Sequence, residues 1–258
     1  MTSPNPESTH NTFNISNSSM TNVSGSGDIH YQEMAIAPHN SDDSKKTILF
    51  LAANPLSTER LRLDEEIREI EAGLQRAKHR DRFTLKQQWA VRPRDLQRAM
   101  LEHKPQIVHF SGHGTGPSTP IQPTQMQPSE MARDIQLMDD TAVSKEELVF
   151  EDITGQPKLV SAAALASLFE LFAESLECVV LNACYSQRQA EAIAQHIPYV
   201  IGMTQAIGDR AAIEFAVGFY DALGAGEAVE QAYRSALVAI RLAGISEHLT
   251  PVMIRHCS

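Results

Sequence analysis

From residue 47 onward the chain alternates between short unbroken apolar runs and longer stretches in which apolar residues return every three or four positions. Thr47-Ile48-Leu49-Phe50-Leu51-Ala52-Ala53 is the first run. Continuous rather than alternating apolar character marks a strand covered on both faces, as in a parallel sheet. Asn54-Pro55 closes it. Leu63, Ile67, Ile70, Leu74 and Ala77 then recur at spacings of four and three, which puts one apolar stripe on a helix. Ser57 or Thr58 is expected to cap its start. Asp64, Glu65 and Glu66 suit its positive end, and Arg76, Lys78 and Arg80 its negative end. Residues 83–91 alternate and predict a second strand nearer a sheet edge. Pro93 and Asp95 open a short helix with Leu96, Met100 and Leu101 facing inward, and Pro105 ends it. A third strand, 106–110, follows.

The same alternation continues to the C-terminus. Residues 148–152 predict a strand that turns at Thr154-Gly155. Ser161 caps a helix with Leu165, Leu168, Phe169 and Phe172 on one face. Residues 178–181 form an apolar strand, 189–196 a short helix and 198–202 a further strand. Ile213, Ala216, Val217 and Tyr220 stripe a helix broken by Gly224 and Gly226. Val229, Ala232, Ala236, Leu237 and Ile240 stripe the last one, with Gly244 as its left-handed stop. Residues 250–254 close with an apolar strand. Strands alternating with helices predict an α/β fold: a mostly parallel sheet with helices on both faces. In such sheets, sites form beyond the carboxyl ends of the strands.

Two segments break the pattern. Residues 1–46 are rich in Ser, Asn, Thr and Gly and poor in large apolar residues. They cannot bury enough surface to offset their ordering entropy, so disorder is expected in a monomer. Within them Phe13-Asn14-Ile15-Ser16-Asn17-Ser18 is echoed by Thr21-Asn22-Val23-Ser24-Gly25-Ser26, and Gly27-Asp28-Ile29-His30-Tyr31 resumes the alternation. Asn14, Ile15, Asn22, Val23, Gly25, Gly27 and Ile29 mark a candidate assembly motif in 11–32, because Asn and Ser form ladders when identical segments stack. A flexible tail explains the composition equally well. The second break, 117–146, carries Pro117, Pro120, Pro123 and Pro128 among Gln, Ser and Met. It predicts a long surface insertion, either a lid or cleavage segment or a plain unstructured excursion.

Charge and cysteine usage narrow the function classes. The formal net charge of -10 argues against a general nucleic-acid binder and leaves room for a basic partner. No apolar run is long enough to span a membrane, so no stable membrane anchor is expected. The polar N-terminus lacks a signal-peptide core, and a cytoplasmic location is expected. Three cysteines without a CxxC spacing argue against a disulfide framework and a structural zinc site. Cys178 lies in an apolar strand, as a small core residue does, and Cys257 is next to last.

Cys184 is different, because it follows the apolar strand end Cys178-Val179-Val180-Leu181-Asn182-Ala183. Ile107-Val108-His109-Phe110-Ser111-Gly112-His113-Gly114 is the other strand end that carries chemistry. A thiol needs a base or cationic neighbour to be a nucleophile near neutral pH, and an imidazole supplies one. Cys184 as nucleophile and His113 as base are therefore the candidate catalytic pair. Acyl transfer also needs donors aimed at the oxyanion, for which the N–H groups of Gly114 and Cys184 are the candidates. Gly112 supplies freedom for the turn that presents His113. His109 and His113 form an HxxxH pair, but no third ligand accompanies them, so neither a metal nor a cofactor is expected and His109 is read as packed beneath the site. Asn182, Tyr185, Ser186 and Asp209 are the candidate substrate-pocket residues. Tyr185 and Ser186 could equally shape the turn, and Asp209 could equally cap the helix starting at Arg210.

His109-Phe110-Ser111-Gly112-His113-Gly114 followed by Leu181-Asn182-Ala183-Cys184-Tyr185-Ser186 resembles the CHAT family, caspase-like peptidases related to separases and, more distantly, to caspases and metacaspases. The resemblance covers about 47–258 and extends to Leu148-Val149-Phe150-Glu151-Asp152 and to Ile207-Gly208-Asp209-Arg210-Ala211-Ala212. It implies a caspase-like fold, a protein substrate, His113 as base, Cys184 as nucleophile and Gly114 as oxyanion donor. It is nearest to bacterial effectors tied to defence and signalling sensors. Many Arg/Lys-specific relatives carry an aspartate two positions before the cysteine. Asn182 stands there, so that preference does not carry over. The N-terminal repeat loosely resembles amyloid signalling motifs, which implies a sensor protein with a like motif and assembly, as a homo-oligomer or filament, through 11–32. Two alternatives stay open: a non-catalytic adaptor working through its N-terminal motif, and another thiol hydrolase such as an amidase.

Overall fold

A computed structural model describes residues 45–116 and 146–256. The candidate assembly motif at 11–32 and the insertion at 117–146, Glu146 apart, lie outside the described residues. So do the alternating N-terminal positions and Cys257.

The unbroken apolar runs form the centre of one sheet. Strands β1 (Lys46–Ala52), β2 (Phe83–Gln88), β3 (Ile107–Ser111), β7 (Cys178–Asn182), β8 (Tyr199–Met203) and β9 (Pro251–Arg255) make six strands in the order β2-β1-β3-β7-β8-β9. The first five run parallel, and β9 alone is antiparallel. β2 lies at an edge, as its alternation predicts. β3 and β7 lie at the centre, and every residue of both is buried. Three further strands, β4 (His113–Gly114), β5 (Leu148–Glu151) and β6 (Pro157–Val160), form a small antiparallel sheet.

Helices cover both faces. α1 (Leu63–Arg76), α5 (Asp209–Ala225) and α6 (Val229–Leu242) pack on one face, where Ile48, Phe50, Ile107 and Val180 meet Ile67, Ile70, Phe215 and Phe219. α2 (Pro93–His103), α3 (Ala162–Glu170) and α4 (Gln187–Ile193) pack on the other, against Leu49, Leu51, Val108 and Val179. Alternate residues of one strand thus feed opposite cores, and a strand with two buried faces has no polar positions to alternate. The expected α/β architecture, with a mostly parallel sheet between helical layers, is the one observed.

Local expectations fail in informative places. α1 starts at Leu63, and its N-cap is Arg62, so neither Ser57 nor Thr58 caps it. The Thr58 hydroxyl donates to Pro55 O at 2.8 Å instead. Leu101 is 61% exposed, and Ala99 takes the inward place, because an eleven-residue helix reaches the sheet with one narrow stripe. Gly224 does not break α5. It is buried inside it, where a Cβ would press on the Cβ of Ala77, and the helix ends at Gly226 with φ +99°. Ser161 and Gly244 act as expected. Ser161 Oγ accepts from Ala164 N, and Gly244 holds φ +72°.

Candidate active site

Parallel β3 and β7 run side by side and in register, with Ser111 opposite Asn182. Their carboxyl ends therefore emerge together, and two residues further along each chain come His113 and Cys184. Both line one small cavity of about 30 Å3, with Gly112, Asn182, Ile207 and Asp209 among the other walls. That volume admits about one or two waters and no side chain. A larger cavity, about 350 Å3, opens at the opposite edge among Lys46, Ile107, Glu177 and Tyr199 at the amino ends of the strands. No thiol lines it, and it is far from the His-Cys edge.

Cys184 is half-buried. Its Sγ accepts from the Ile207 N–H at 3.4 Å and lies 3.7 Å from Ile207 O. Tyr185 follows with φ +55°, a left-handed turn that a bulky residue adopts at a cost. Cys178 is unlike Cys184: it is wholly buried, and burial, with a smaller push from the Glu177 charge, drives its thiol far above the usual range.

His113 is half-buried on β4, and its Nε2 meets Glu59 O at 2.8 Å. Among the described residues no hydrogen bond joins His113 to Cys184. Burial lowers the His113 pKa, partly offset by the Glu59 carbonyl and by the charges of Asp209 and Glu59. The folded chain thus binds this proton less tightly than the unfolded chain. As pH falls from about 6.5 the unfolded state takes up more protons, so this contribution to stability is present above that pH and is lost on acidification. A His113→Gln chain is expected to show a flatter loss of stability between about pH 7 and 5. Urea unfolding of both chains across that range checks it, and equal slopes would sink it.

Gly114 packs directly on the nucleophile's backbone. A Cβ there would overlap the Cys184 carbonyl oxygen and sit 3.1 Å from Cys184 C and 3.5 Å from Cys184 N. Ladder geometry also orients its N–H. Thr115 N donates to Glu147 O at 2.9 Å, and hydrogen-bonding positions alternate along an antiparallel pair. The Gly114 N–H therefore turns away from β5. Gly112 does not occupy the left-handed region. It allows a close approach, since a Cβ would lie 2.8 Å from Ala53 O.

The other named residues separate. Asn182 lines the cavity but is only 3% exposed: its Nδ2 donates to Glu66 Oε1 at 2.7 Å and to Ala212 O at 3.1 Å. Ser186 stays out of the cleft and is fully buried. Its Oγ donates to Leu181 O and accepts from Met203 N, both at 2.9 Å, tying β7 to β8 under the turn. The Tyr185 ring lies where a Gly116 Cβ would fall. Asp209 lines the cavity as the first residue of α5, whose N-cap is Gly208. Its carboxylate accepts from Arg62 N at 3.2 Å, so it serves the start of α1, not that of its own helix. His109 is fully buried below the site, and both ring nitrogens are engaged, Nδ1 with Tyr220 Oη at 3.1 Å and Nε2 with Glu66 Oε1 at 2.9 Å.

Sequence reasoning missed Glu66. An acid in the first turn of a helix is explained by the helix dipole, so nothing local signalled its burial. Glu59 was missed because it acts through its carbonyl, which every residue has.

The CHAT domain family model matches residues 10–249. A Roc-COR-CHAT protease from an unknown prokaryotic organism is 25% identical over 211 residues, which is 78% of this chain and 17% of that protein. A probable protease of Gillisia limnaea is 24% identical over 180 residues, 69% of this chain and 27% of that protein. The chain thus spans less than a third of the length of either relative. Among the described residues no helix is long and apolar enough to cross a membrane.

Proposed function

The chain belongs to the CHAT domain family, and from that premise we propose that it is a cysteine endopeptidase in which Cys184 attacks a peptide carbonyl and His113 moves the proton. The observation that carries this reading is the meeting of His113 and Cys184 in one cavity at the carboxyl edge of the sheet. The protease names of both relatives support it.

The chemistry follows from the residues. Because burial favours its neutral form, His113 is a base near neutral pH. It takes the Cys184 proton, and the thiolate adds to the carbonyl carbon. The N–H groups of Gly114 and Cys184 receive the charge on the oxygen. Imidazolium then protonates the leaving amine, and neutral His113 activates a water to release the acyl group. No step calls on a metal or cofactor. Because the Glu59 carbonyl can only accept, the hydrogen of the neutral His113 ring sits on Nε2, and Nδ1 has the lone pair that takes the Cys184 proton. Contacts between such a base and its thiol commonly tighten only when substrate is bound.

The biological setting we propose is that of a cytoplasmic effector in bacterial defence or programmed cell death, which assembles with a sensor through residues 11–32. The adaptor reading finds less support, because the His-Cys edge is intact. New N-termini generated in a prokaryotic protein extract test the activity. A Cys257→Ser chain is used before and after alkylation of Cys184. Cleavages seen only before alkylation support the peptidase, and identical termini in both samples overturn it.

A further inference from the structure

Glu66 is a carboxylate in the wrong place for an ordinary helix-end acid. It lies in the first turns of α1, yet it is 2% exposed. Burying a carboxylate costs several kcal/mol unless its oxygens are fully engaged. Here they are. Oε1 accepts from His109 Nε2 at 2.9 Å and from Asn182 Nδ2 at 2.7 Å, and Oε2 accepts from the Ser111 hydroxyl. The Tyr220 hydroxyl, kept protonated by burial, meets His109 Nδ1 at 3.1 Å.

The donors come from two strands, and their positions matter. Ser111 and Asn182 are cross-strand partners at the ends of β3 and β7. Ser111 lies two residues before His113, and Asn182 two residues before Cys184. One carboxylate therefore grips both chains at the same step before each reacts. The Gly112 N–H adds a longer backbone bond to Asn182 O at 3.4 Å. Through Ala212 O, the same Asn182 amide holds the start of α5, whose first residue Asp209 faces the cavity. An apolar cluster would fill this space without the desolvation cost. What it would not supply is a fixed spacing between the two strand ends.

Resting on the Cys-His reading above, we propose that Glu66 is the positioning residue of the site: through Ser111 and Asn182 it sets the spacing of His113 against Cys184. It touches neither substrate nor the reacting atoms. Its role explains why Asn182 stands two places before the cysteine. The side chain there is spent on the carboxylate beneath.

The test reads Cys184 directly and needs no substrate. The full chain carries Cys257→Ser, and buried Cys178 does not compete. The rate of Cys184 alkylation by iodoacetamide is followed against pH by mass spectrometry, with melting temperatures recorded in parallel. In the parent chain His113 sustains reactivity below the range of a free thiol, and His113→Ala removes that acid limb. Glu66→Gln keeps the side-chain shape and is expected to lower the rate at about pH 6 by about tenfold, as losing one charge-assisted hydrogen bond predicts, while the high-pH rate changes less than about twofold. A merely structural Glu66 would lower the melting temperature and leave the shape of the profile alone. A superposable Glu66→Gln profile overturns the proposal. If Glu66→Gln does not fold, Ser111→Ala removes a single hydroxyl, and about a threefold fall at pH 6 is expected, with an unchanged profile again overturning it. Should His113→Ala leave the parent profile unchanged, the Cys-His reading fails and the proposal with it. A silent Glu66→Gln beside an active His113→Ala sinks the positioning role alone.

Discussion

Replacing Cys184 with alanine is expected to lower peptide-bond cleavage by about a thousandfold or more while changing stability by less than about 1 kcal/mol. The two halves have separate causes. The thiolate forms the covalent intermediate, and a methyl group has no lone pair to replace it. Cys178 cannot stand in, since it is wholly buried and its thiol is driven far up by that burial. The fold barely depends on Sγ, whose partners are the Ile207 backbone groups at 3.4 and 3.7 Å. Long bonds to sulfur contribute little, and alanine keeps the Cβ that packs the turn. A substrate taken from the N-terminus mapping gives the rate, and thermal unfolding gives the stability. Cleavage by the variant at more than about a tenth of the parent rate would sink the covalent mechanism. The variant should also hold the substrate uncleaved, which a change in folding would prevent.

The sequence was most legible where burial leaves a continuous record. β1, β3 and β7 read as central strands because both faces of each are covered, and no polar position interrupts them. The edge place of β2 was legible for the converse reason. The candidate pair was legible because parallel strands deliver their carboxyl ends to one edge, so two unusual strand ends had to be neighbours. What escaped was set by distant partners. Asp209 serves Arg62, 147 residues away, and Glu66 meets Asn182 across 116. Neither pairing leaves a local spacing to read. The strand β6 was missed because Pro157 and Lys158 are exposed on a short edge, which erases the apolar signal. Gly224 was read as a helix breaker on propensity, and close packing on Ala77 overrode it. Ser186, a polar residue beside the nucleophile, looked like a cleft residue, yet its hydroxyl satisfies two backbone groups inside the core.

Gly114→Ala carries the second large effect, and it separates the oxyanion donor from the base beside it. The added methyl would overlap the Cys184 carbonyl oxygen, with Cys184 C at 3.1 Å and N at 3.5 Å. All three are backbone atoms, so no flexible side chain can swing aside. The turn that holds them is already constrained, with Tyr185 at φ +55° and its N–H bound to Gln205 O. The adjustable partner is β4, two residues long and paired to β5 at His113 and Gly114. It must move away from Cys184, and it carries both the Gly114 N–H and His113 with it. Loss of one oxyanion donor alone lowers the rate by about a hundredfold to a thousandfold. Overpacking lowers stability by about 1–3 kcal/mol. A companion change isolates the local cause: at Gly244, φ is +72° and nothing lies within 4 Å of an added Cβ. Gly244→Ala is expected to cost only about 1 kcal/mol of backbone strain and to leave cleavage unchanged. Measured with the same substrate, the two variants should therefore diverge in rate far more than in melting temperature. If Gly114→Ala cleaves at more than about half the parent rate, the close contact between Gly114 and Cys184 is not where the oxyanion is held.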